Sequence, residues 1–312
     1  MAPNESLKPT IPNPVKFLFG GSAGMAATVF VQPLDLVKNR MQMAGAGSKG
    51  GQFKTSGHAI RYIVANEGAF ALYNGLSAGL FRQATYTTTR LGIYTWLFDH
   101  FSQAERAPSF WLKATIGLAA GAVGSVVGTP AEISLIRMTS DGRLPADQQR
   151  GYKHVFDALL RMTREEGVLT LWRGCGPTVM RAMVVNAAQL ATYSQAKGAL
   201  LRTGYFGDNV VLHFAASMIS GLATTLASMP VDIAKTRIQN MSVVEGKPEY
   251  RNAFDVWWRV VRQEGVLSLW KGFTPYYMRL GPHTVLTFIF LEQFNRAYFK
   301  RVLGVDSARG GL

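Results

Sequence analysis

The sequence predicts an all-α membrane protein of six transmembrane helices, set in three repeats about a pseudo-threefold axis, with three short surface helices on one side. Three observations carry that expectation. A proline-bearing stretch recurs: "QPLDLVKNRMQ" from Gln32, "TPAEISLIRMT" from Thr129 and "MPVDIAKTRIQ" from Met229. A second signature follows in the same register: "EGAFALYNG" from Glu67, "EGVLTLWRG" from Glu166 and "EGVLSLWKG" from Glu264. Each copy also holds two apolar runs able to cross a hydrocarbon core of about 30 Å, which takes about 20 helical residues.

The period is close to one hundred residues. Pro33, Pro130 and Pro230 are 97 and 100 positions apart, and the glutamates of the second signature are 99 and 98 apart. Such a period marks an internally repeated architecture. Small residues precede each proline as Gly20 and Gly24, Gly117 and Gly121, Ser217 and Gly221. Small-xxx-small spacing lets helix backbones approach closely in a bilayer.

The elements follow in order. The tail "MAPNESLKPTIPNP", residues 1–14, is Pro-rich, reads as disordered, and lacks both the apolar core of a secretory signal and the Arg-rich amphipathic pattern of a transit peptide. Repeat one, 15–107, has apolar spans at 16–43 and 76–101. Repeat two, 108–205, has spans at 111–139 and 178–200, and repeat three, 206–302, has spans at 209–240 and 276–300. Residues 303–312 form a C-terminal tail. Between the spans lie stretches such as "YKHVFDALLRMTREEG", with apolar residues at helical spacing, expected to lie along the membrane surface.

Composition narrows the class. Only 17% of residues are charged, 48% are hydrophobic, and there are 32 glycines. A soluble helical repeat protein would need outward polar faces, and "TVLTFIFL" and "VVLHFAASMISGLATTLASM" offer none. The single cysteine, Cys175, excludes an internal disulfide framework. The net charge of +14 is spread across the repeats and not gathered into the stripe or tail that nucleic acid demands. There is no metal-ligand cluster, nucleophile–base motif or phosphate-cradling loop, so neither an enzyme nor a cofactor is expected. Lysine and arginine number five, seven and seven in 38–75, 135–174 and 235–272, against four in 96–113 and 197–209 together. That bias puts the long connections on the cis side and both termini opposite.

Proline inside a helix removes a backbone hydrogen bond and kinks it, so Pro33, Pro130 and Pro230 would draw the ends of three helices together. An acid stands two residues beyond each: Asp35, Glu132, Asp232. Lys38, Leu135 and Lys235 stand five beyond. With threefold geometry Asp232 would meet Lys38 and Glu132 would meet Lys235, while Asp35 faces Leu135 and has no partner. Gln42 and Gln239, with Thr139 between them in register, are placed to hydrogen-bond such pairs. Charges that merely snorkel to a helix end are the plainer alternative, but intramembrane ionisable groups default to function. A closed ring of this kind is a gate.

Seven residues after Gly75, Gly174 and Gly272 stand Arg82, Arg181 and Arg279. Each would cost about 2.5–3.5 kcal/mol at the bilayer centre, so all three must face a common interior, where an anion offsets the cost. Arg82, Tyr86 and Arg90 share one helix face, and guanidinium suits bidentate carboxylate binding. A substrate with two or more negative charges follows. Tyr86 and Tyr94 leave a nucleotide possible. Asn186 and Gln189 suit hydroxyl or keto oxygens, or equally hydrogen bonds between helices. His283 reads as a packed helix histidine and not a proton relay.

P-x-[DE]-x-x-[KR], followed by E-G-x4-[aromatic]-x-G, three times over, resembles the mitochondrial carrier family. The resemblance implies a carrier of the inner mitochondrial membrane that alternates between cytosol-open and matrix-open states, with both termini facing the intermembrane space. The proline-side ring would be its matrix gate. A cytosolic gate would lie at Thr95 with Phe98, Ser194 with Lys197 and Glu292 with Asn295, where Thr95 with Lys197 and Ser194 with Asn295 form hydrogen bonds at most. A finer likeness within the family, in "RQATYTTTRLGIYT", "GTPAEISLIRMTSDGRLP" and "GFTPYYMRLGPHTVLTFIFLEQ" among others, implies substrate contacts at Arg90, Arg181, Ala182 and Arg279, with Arg82 and Tyr86 in the cavity. The implied activity is electroneutral exchange of 2-oxoglutarate for malate or another dicarboxylate, with cardiolipin held at the matrix-side surface helices. A related carrier for dicarboxylates with phosphate, or for tricarboxylates, would use the same cavity, and a proton-leak protein is a third possibility.

Overall fold

A computed structural model of the chain describes residues 12–43, 55–101, 110–144, 148–204, 210–241, 243–244 and 247–302. The sequence-expected tails up to residue 11 and from 303 onward lie outside the described residues. Among the described residues nine α-helices run in the order α1 (Asn13–Gln42), α2 (Ser56–Glu67), α3 (Leu76–Phe101), α4 (Phe110–Ser140), α5 (Val155–Glu166), α6 (Cys175–Arg202), α7 (Val210–Asn240), α8 (Ala253–Glu264) and α9 (Phe273–Val302). Residues 13 and 14, read from the sequence as the end of a tail, begin α1 instead. The reason is local: proline is favoured in the first helical turn, where its missing N–H costs nothing. The only described strands are the two-residue pair Val243–Val244 and Lys247–Pro248.

Six helices have 26 to 31 residues. At about 1.5 Å per residue each is longer than a bilayer core. Among the described residues only α4 and α7 pass as spans by composition alone, with an 18-residue stretch of mean hydropathy 1.4 inside Leu112–Ser140 and inside Val211–Asn240. The other four carry more polar and charged side chains, which threefold closure turns inward. The fold is therefore legible as a six-span bundle only through its repeat.

The long helices pack as neighbours round the ring: α1 on α9, α3 on α4 and α6 on α7. Close approach within each repeat depends on the small residue nine before the proline. A Cβ on Gly121 would stand 3.1 Å from the Asn186 amide nitrogen of α6, and one on Gly221 would overlap Leu280 of α9.

The prolines sit inside continuous helices α1, α4 and α7. A helical proline leaves the carbonyl four residues earlier without its donor, and in lipid an unsatisfied carbonyl costs several kcal/mol. Two tryptophans supply the missing donors. Trp172 Nε1 donates to Val126 O at 3.1 Å, four residues before Pro130, and Trp270 Nε1 donates to Leu226 O at 3.0 Å, four before Pro230. The aromatic of the second signature thus caps the kink made by the first. Tyr73, the equivalent residue of repeat one, makes no such bond.

Each surface helix is stapled to the foot of its own repeat. Ala59 and Ile63 of α2 pack on Leu36, Val37 and Met41 of α1. Val155, Ala158 and Met162 of α5 pack on Ile133 and Met138 of α4. Ala253, Val256 and Val260 of α8 pack on Ile233, Ala234 and Ile238 of α7. Burial of one such large apolar side chain stabilises by about 1.5–3 kcal/mol. Side-chain caps fix where these helices start: Thr55 accepts from His58 N, His154 from Asp157 N and Asn252 from Asp255 N. The following long helix then begins at a left-handed glycine. Gly174 (φ 81°) and Gly272 (φ 87°) also lie against Gln239 and the Lys38 carbonyl, so backbone sign and space both demand glycine there.

Candidate functional site

At the proline end α1, α4 and α7 meet one another. Their acids and bases face inward because proline, acid and base recur at fixed offsets on each helix. Lys38 Nζ lies 2.8 Å from Asp232 Oδ2, and Lys235 Nζ lies 2.5 Å from Glu132 Oε1, with all four residues buried. The third joint differs from the sequence expectation. Asp35 is not left facing Leu135 without a partner, because Arg279 Nη1 of α9 reaches its Oδ1 at 3.1 Å. Leu135 is buried and packs with Ala78 and Ile133, between α3 and α4.

The glutamines act one step away from the ion pairs. Gln239 Nε2 donates to Thr178 Oγ1 at 3.1 Å, and that hydroxyl donates to Glu132 Oε2 at 3.3 Å or to its own helix. Gln42 Oε1 stands 2.9 Å from the Thr236 hydroxyl, itself 2.7 Å from the Asp232 carbonyl oxygen. In the middle copy Asn39 Nδ2 donates to Thr139 Oγ1 at 3.3 Å.

A second ring underlies the first, and the sequence reading counted its residues only as loop charge. Arg40, Arg137 and Arg237, each seven past its proline, pair with Glu67, Glu166 and Glu264 at the ends of the surface helices. Each arginine also donates through Nε to the last turn of the next long helix: Arg40 to Thr139 O at 2.9 Å, Arg137 to Gln239 O at 3.4 Å and Arg237 to Gln42 O at 3.4 Å. Cations at a helix C-terminus also meet the negative end of its dipole. Burial works against ionisation of Glu166 and Glu264, but hydrogen bonds from Arg137 to the first and from Arg237 and Lys271 to the second outweigh it, and both carboxyls titrate below the usual range. The recurrence of arginine at Pro+7 and of glutamate before each signature glycine was the available signal.

Above the ion pairs stand the arginines. Arg82, Arg181 and Arg279 line one small central cavity of about 50 Å³ with Asp35, Glu132 and Asp232. Arg181 is tied down: its Nε pairs with Asp232, and its Nη2 donates to Tyr276 OH at 2.9 Å. Tyr276 also lies under Lys38, whose ammonium is 3.9 Å from the ring centroid, a cation–π contact. It stands three residues before Arg279, and no spacing rule singled it out. Among the described residues no carboxylate forms an ion pair with Arg82, although Glu132 lines the same cavity, and the Arg82 Nε is buried without a hydrogen bond. Tyr86 and Ala182 border a second small space beside Arg82 and Arg181.

Farther from the prolines a wider cavity of about 540 Å³ is lined by Arg90, Tyr94, Asn186, Gln189 and Ser194. The sequence-expected contact residues therefore fall on two levels, Arg90, Asn186 and Gln189 on one and the three symmetric arginines on the other. The Asn186 amide donates to Ala182 O of its own helix at 2.8 Å and packs beside Gly121, so in this conformation it serves helix contact. His283 is half-buried on α9, one turn beyond Arg279, with Nε2 unpaired.

At the opposite end Thr95, Glu292 and Asn295 do not meet across the bundle. Among the described residues neither Thr95 nor Asn295 hydrogen-bonds across the bundle, and Glu292 pairs instead with Arg296 of its own helix at 2.5 Å. Phe98 stacks on Tyr94 of its own helix, with ring centroids 5.9 Å apart. Helices α3, α6 and α9 do not pack closely on one another, whereas α1, α4 and α7 do. The bundle is shut at the proline end and spread at the other.

Comparison with known proteins agrees with this geometry. The family model described as mitochondrial carrier protein matches residues 9–105, 106–204 and 207–302. The chain is 71% identical over 290 residues to the mitochondrial 2-oxoglutarate/malate carrier protein of Homo sapiens, covering 93% of this chain and 92% of that one. It is 68% identical over 296 residues to the protein of the same name from Caenorhabditis elegans, covering 95% and 96%. A probable mitochondrial 2-oxoglutarate/malate carrier protein of Dictyostelium discoideum is 43% identical over 292 residues, covering 91% and 92%.

Proposed function

The chain belongs to the mitochondrial carrier family, and from that premise we propose that it exchanges 2-oxoglutarate for malate or a related dicarboxylate across the inner mitochondrial membrane. It is a transporter, not an enzyme. The observation that carries the substrate class is the convergence of Arg82, Arg181 and Arg279 on one interior cavity. Three guanidinium groups there suit a dianion with carboxylates at both ends. Exchange of one dianion for another moves no net charge.

Alternating access follows from the two ends. Lys38, Asp232, Glu132 and Lys235, with Asp35, Leu135, Gln42 and Gln239 around them, form the matrix gate, closed in this conformation. Thr95, Ser194, Lys197, Glu292 and Asn295 form the cytosolic gate, which closes when α3, α6 and α9 come together. That gate has no full ion pair available across the bundle, so it is the weaker of the two. The substrate enters from the cytosolic side past Arg90, Asn186 and Gln189, and descends to Arg181, Ala182 and Arg279. A ligand shifts a conformational equilibrium only by its differential affinity for the two states. The dicarboxylate therefore binds the intermediate most tightly, and this offsets the broken ion pairs. The empty carrier lacks that contribution and interconverts slowly, which makes exchange obligatory. The surface helices lie on the matrix side against cardiolipin, and both termini face the intermembrane space.

Uptake into liposomes tests the reading. Labelled 2-oxoglutarate should enter only when unlabelled malate or 2-oxoglutarate is inside. Uptake into empty vesicles would point to a leak, and uptake driven only by internal phosphate or citrate would name a different member of the family.

A further inference from the structure

We infer that Asp35 is the resident counter-ion of the substrate site: it holds Arg279 while the carrier is empty, and a substrate carboxylate takes its place. The inference rests on the exchange reading above. Asp35 differs from the other two acids in what it can reach. Glu132 holds Lys235 at 2.5 Å and Asp232 holds Lys38 at 2.8 Å, each a base on a neighbouring proline helix, and Asp232 pairs with Arg181 as well. The base that symmetry would offer Asp35 is Leu135, turned into the packing against α3. Asp35 pairs instead with Arg279 at 3.1 Å. The ion pair thus links a gate position to a binding position.

Charge and position make one carboxylate a substitute for the other. Asp35, Arg82, Arg181 and Arg279 line one small cavity. A substrate carboxylate that binds Arg279 must take the contact that Asp35 holds. Among the described residues no carboxylate forms an ion pair with Arg82, and its Nε is buried and unpaired, so the first substrate carboxylate lands there. The second competes with Asp35 for Arg279. With leucine at position 135, Asp35 guards the site and does not bridge two proline helices. Competition by a tethered acid lowers apparent affinity by the fraction of time the arginine is free.

The test is a double-mutant cycle in reconstituted liposomes, measuring KM and kcat for 2-oxoglutarate against internal malate. Asp35→Asn should lower KM, by about tenfold if Arg279 is free one-tenth of the time. Leu135→Lys should also lower KM, because the new ammonium draws Asp35 across to α4. The double variant should go no lower than Asp35→Asn alone. A KM for Asp35→Asn equal to or above that of the unaltered protein overturns the inference. So does additive lowering in the double variant, which would mean that only the cavity's net charge matters. If Asp35→Asn does not fold, Leu135→Lys decides alone, and an unchanged KM there overturns it. The concentration of 2-oxoglutarate giving half the maximal thermal shift in detergent provides the same comparison without transport. Ligand-induced shifts without any exchange by the unaltered protein would sink the transport reading, while the order of those concentrations still judges Asp35.

Discussion

Lys38 and Asp232 stand 194 positions apart in the chain, yet their side chains meet at 2.8 Å, both almost fully buried. The contact ties the first repeat to the third and closes the bundle at its proline end. Tyr276 receives the other face of the ammonium, and Arg181 takes the second carboxylate oxygen.

Breaking this pair should cost stability in the shut state. Removal of one partner from a buried pair costs about 3–5 kcal/mol, and Lys38→Ala should fall near the lower end because Arg181 still neutralises Asp232. Thermal unfolding in detergent measures it. The reversed pair, Lys38→Asp with Asp232→Lys, should recover part of what either single change loses. If the reversed pair is no more stable than the worse single variant, the contact does not hold the bundle shut.

Arg90→Ala, Arg181→Ala and Arg279→Ala should each abolish exchange while membrane insertion stays normal. Truncating one side of a buried, hydrogen-bonded charge contact costs about 2–5 kcal/mol, and about 1.4 kcal/mol is already tenfold. Normal initial rates of labelled 2-oxoglutarate uptake in these variants would remove the site.

Trp172→Phe and Trp270→Phe keep the ring and delete the donor to Val126 O and Leu226 O. Each should destabilise by about 1–3 kcal/mol, the usual penalty for an orphaned acceptor, because these carbonyls face lipid, where no water replaces the lost donor. Tyr73→Phe should cost less, since its hydroxyl makes no such bond. Equal unfolding temperatures for all three variants would show that the indoles are only lipid-facing aromatics.

The lower ring should confer a pH dependence at the acid end only. The folded-state carboxyls of Glu166 and Glu264 titrate below the ordinary 4.5. A depressed pKa contributes stability that is complete above the unfolded value and is lost as pH falls through the folded one. Unfolding temperature should therefore show no contribution from these two groups between pH 7 and 5, and should fall below pH 4.5 or so. Glu166→Gln should flatten that acid limb. A limb unchanged in this variant would assign the acid sensitivity to other groups.

Leu135→Lys should raise the unfolding temperature of the substrate-free protein, since Asp35 would gain a base on a neighbouring proline helix. The gain should be modest, about 1 kcal/mol or less, because burial of a new ammonium consumes most of the attraction. A lower unfolding temperature would show that the leucine's packing against α3 outweighs any ion pair at that joint.

How much of this was legible in the sequence depended on whether a residue acts within the register or across it. Proline, acid and base repeat at fixed offsets, so Lys38 with Asp232 and Lys235 with Glu132 could be paired by cyclic permutation alone. The same permutation, confined to the proline helices, left Asp35 without a partner. Its true partner lies on α9, at an offset from a different landmark. Arg40, Arg137 and Arg237 repeat just as regularly, but charge counting had already used them to orient the chain. Asn186 shows the converse limit: its type suits a ligand, yet in the folded protein the amide turns back on Ala182 O. Tyr276 and the two tryptophans act through one hydroxyl and two indole N–H groups, and no periodicity in apolar residues encodes where those point.

The donors of the lower ring all lean the same way round, Arg40 onto the end of α4, Arg137 onto α7 and Arg237 onto α1. Each arginine takes its carboxylate from its own third of the molecule and gives its Nε hydrogen bond to the next. Each third is fastened by the one before and fastens the one after, so excising any single copy would strand both a giver and a receiver. A lone pair of neighbouring copies would retain one such fastening out of three. The chain's triplication therefore makes a hoop, which is closed only when all three copies are present.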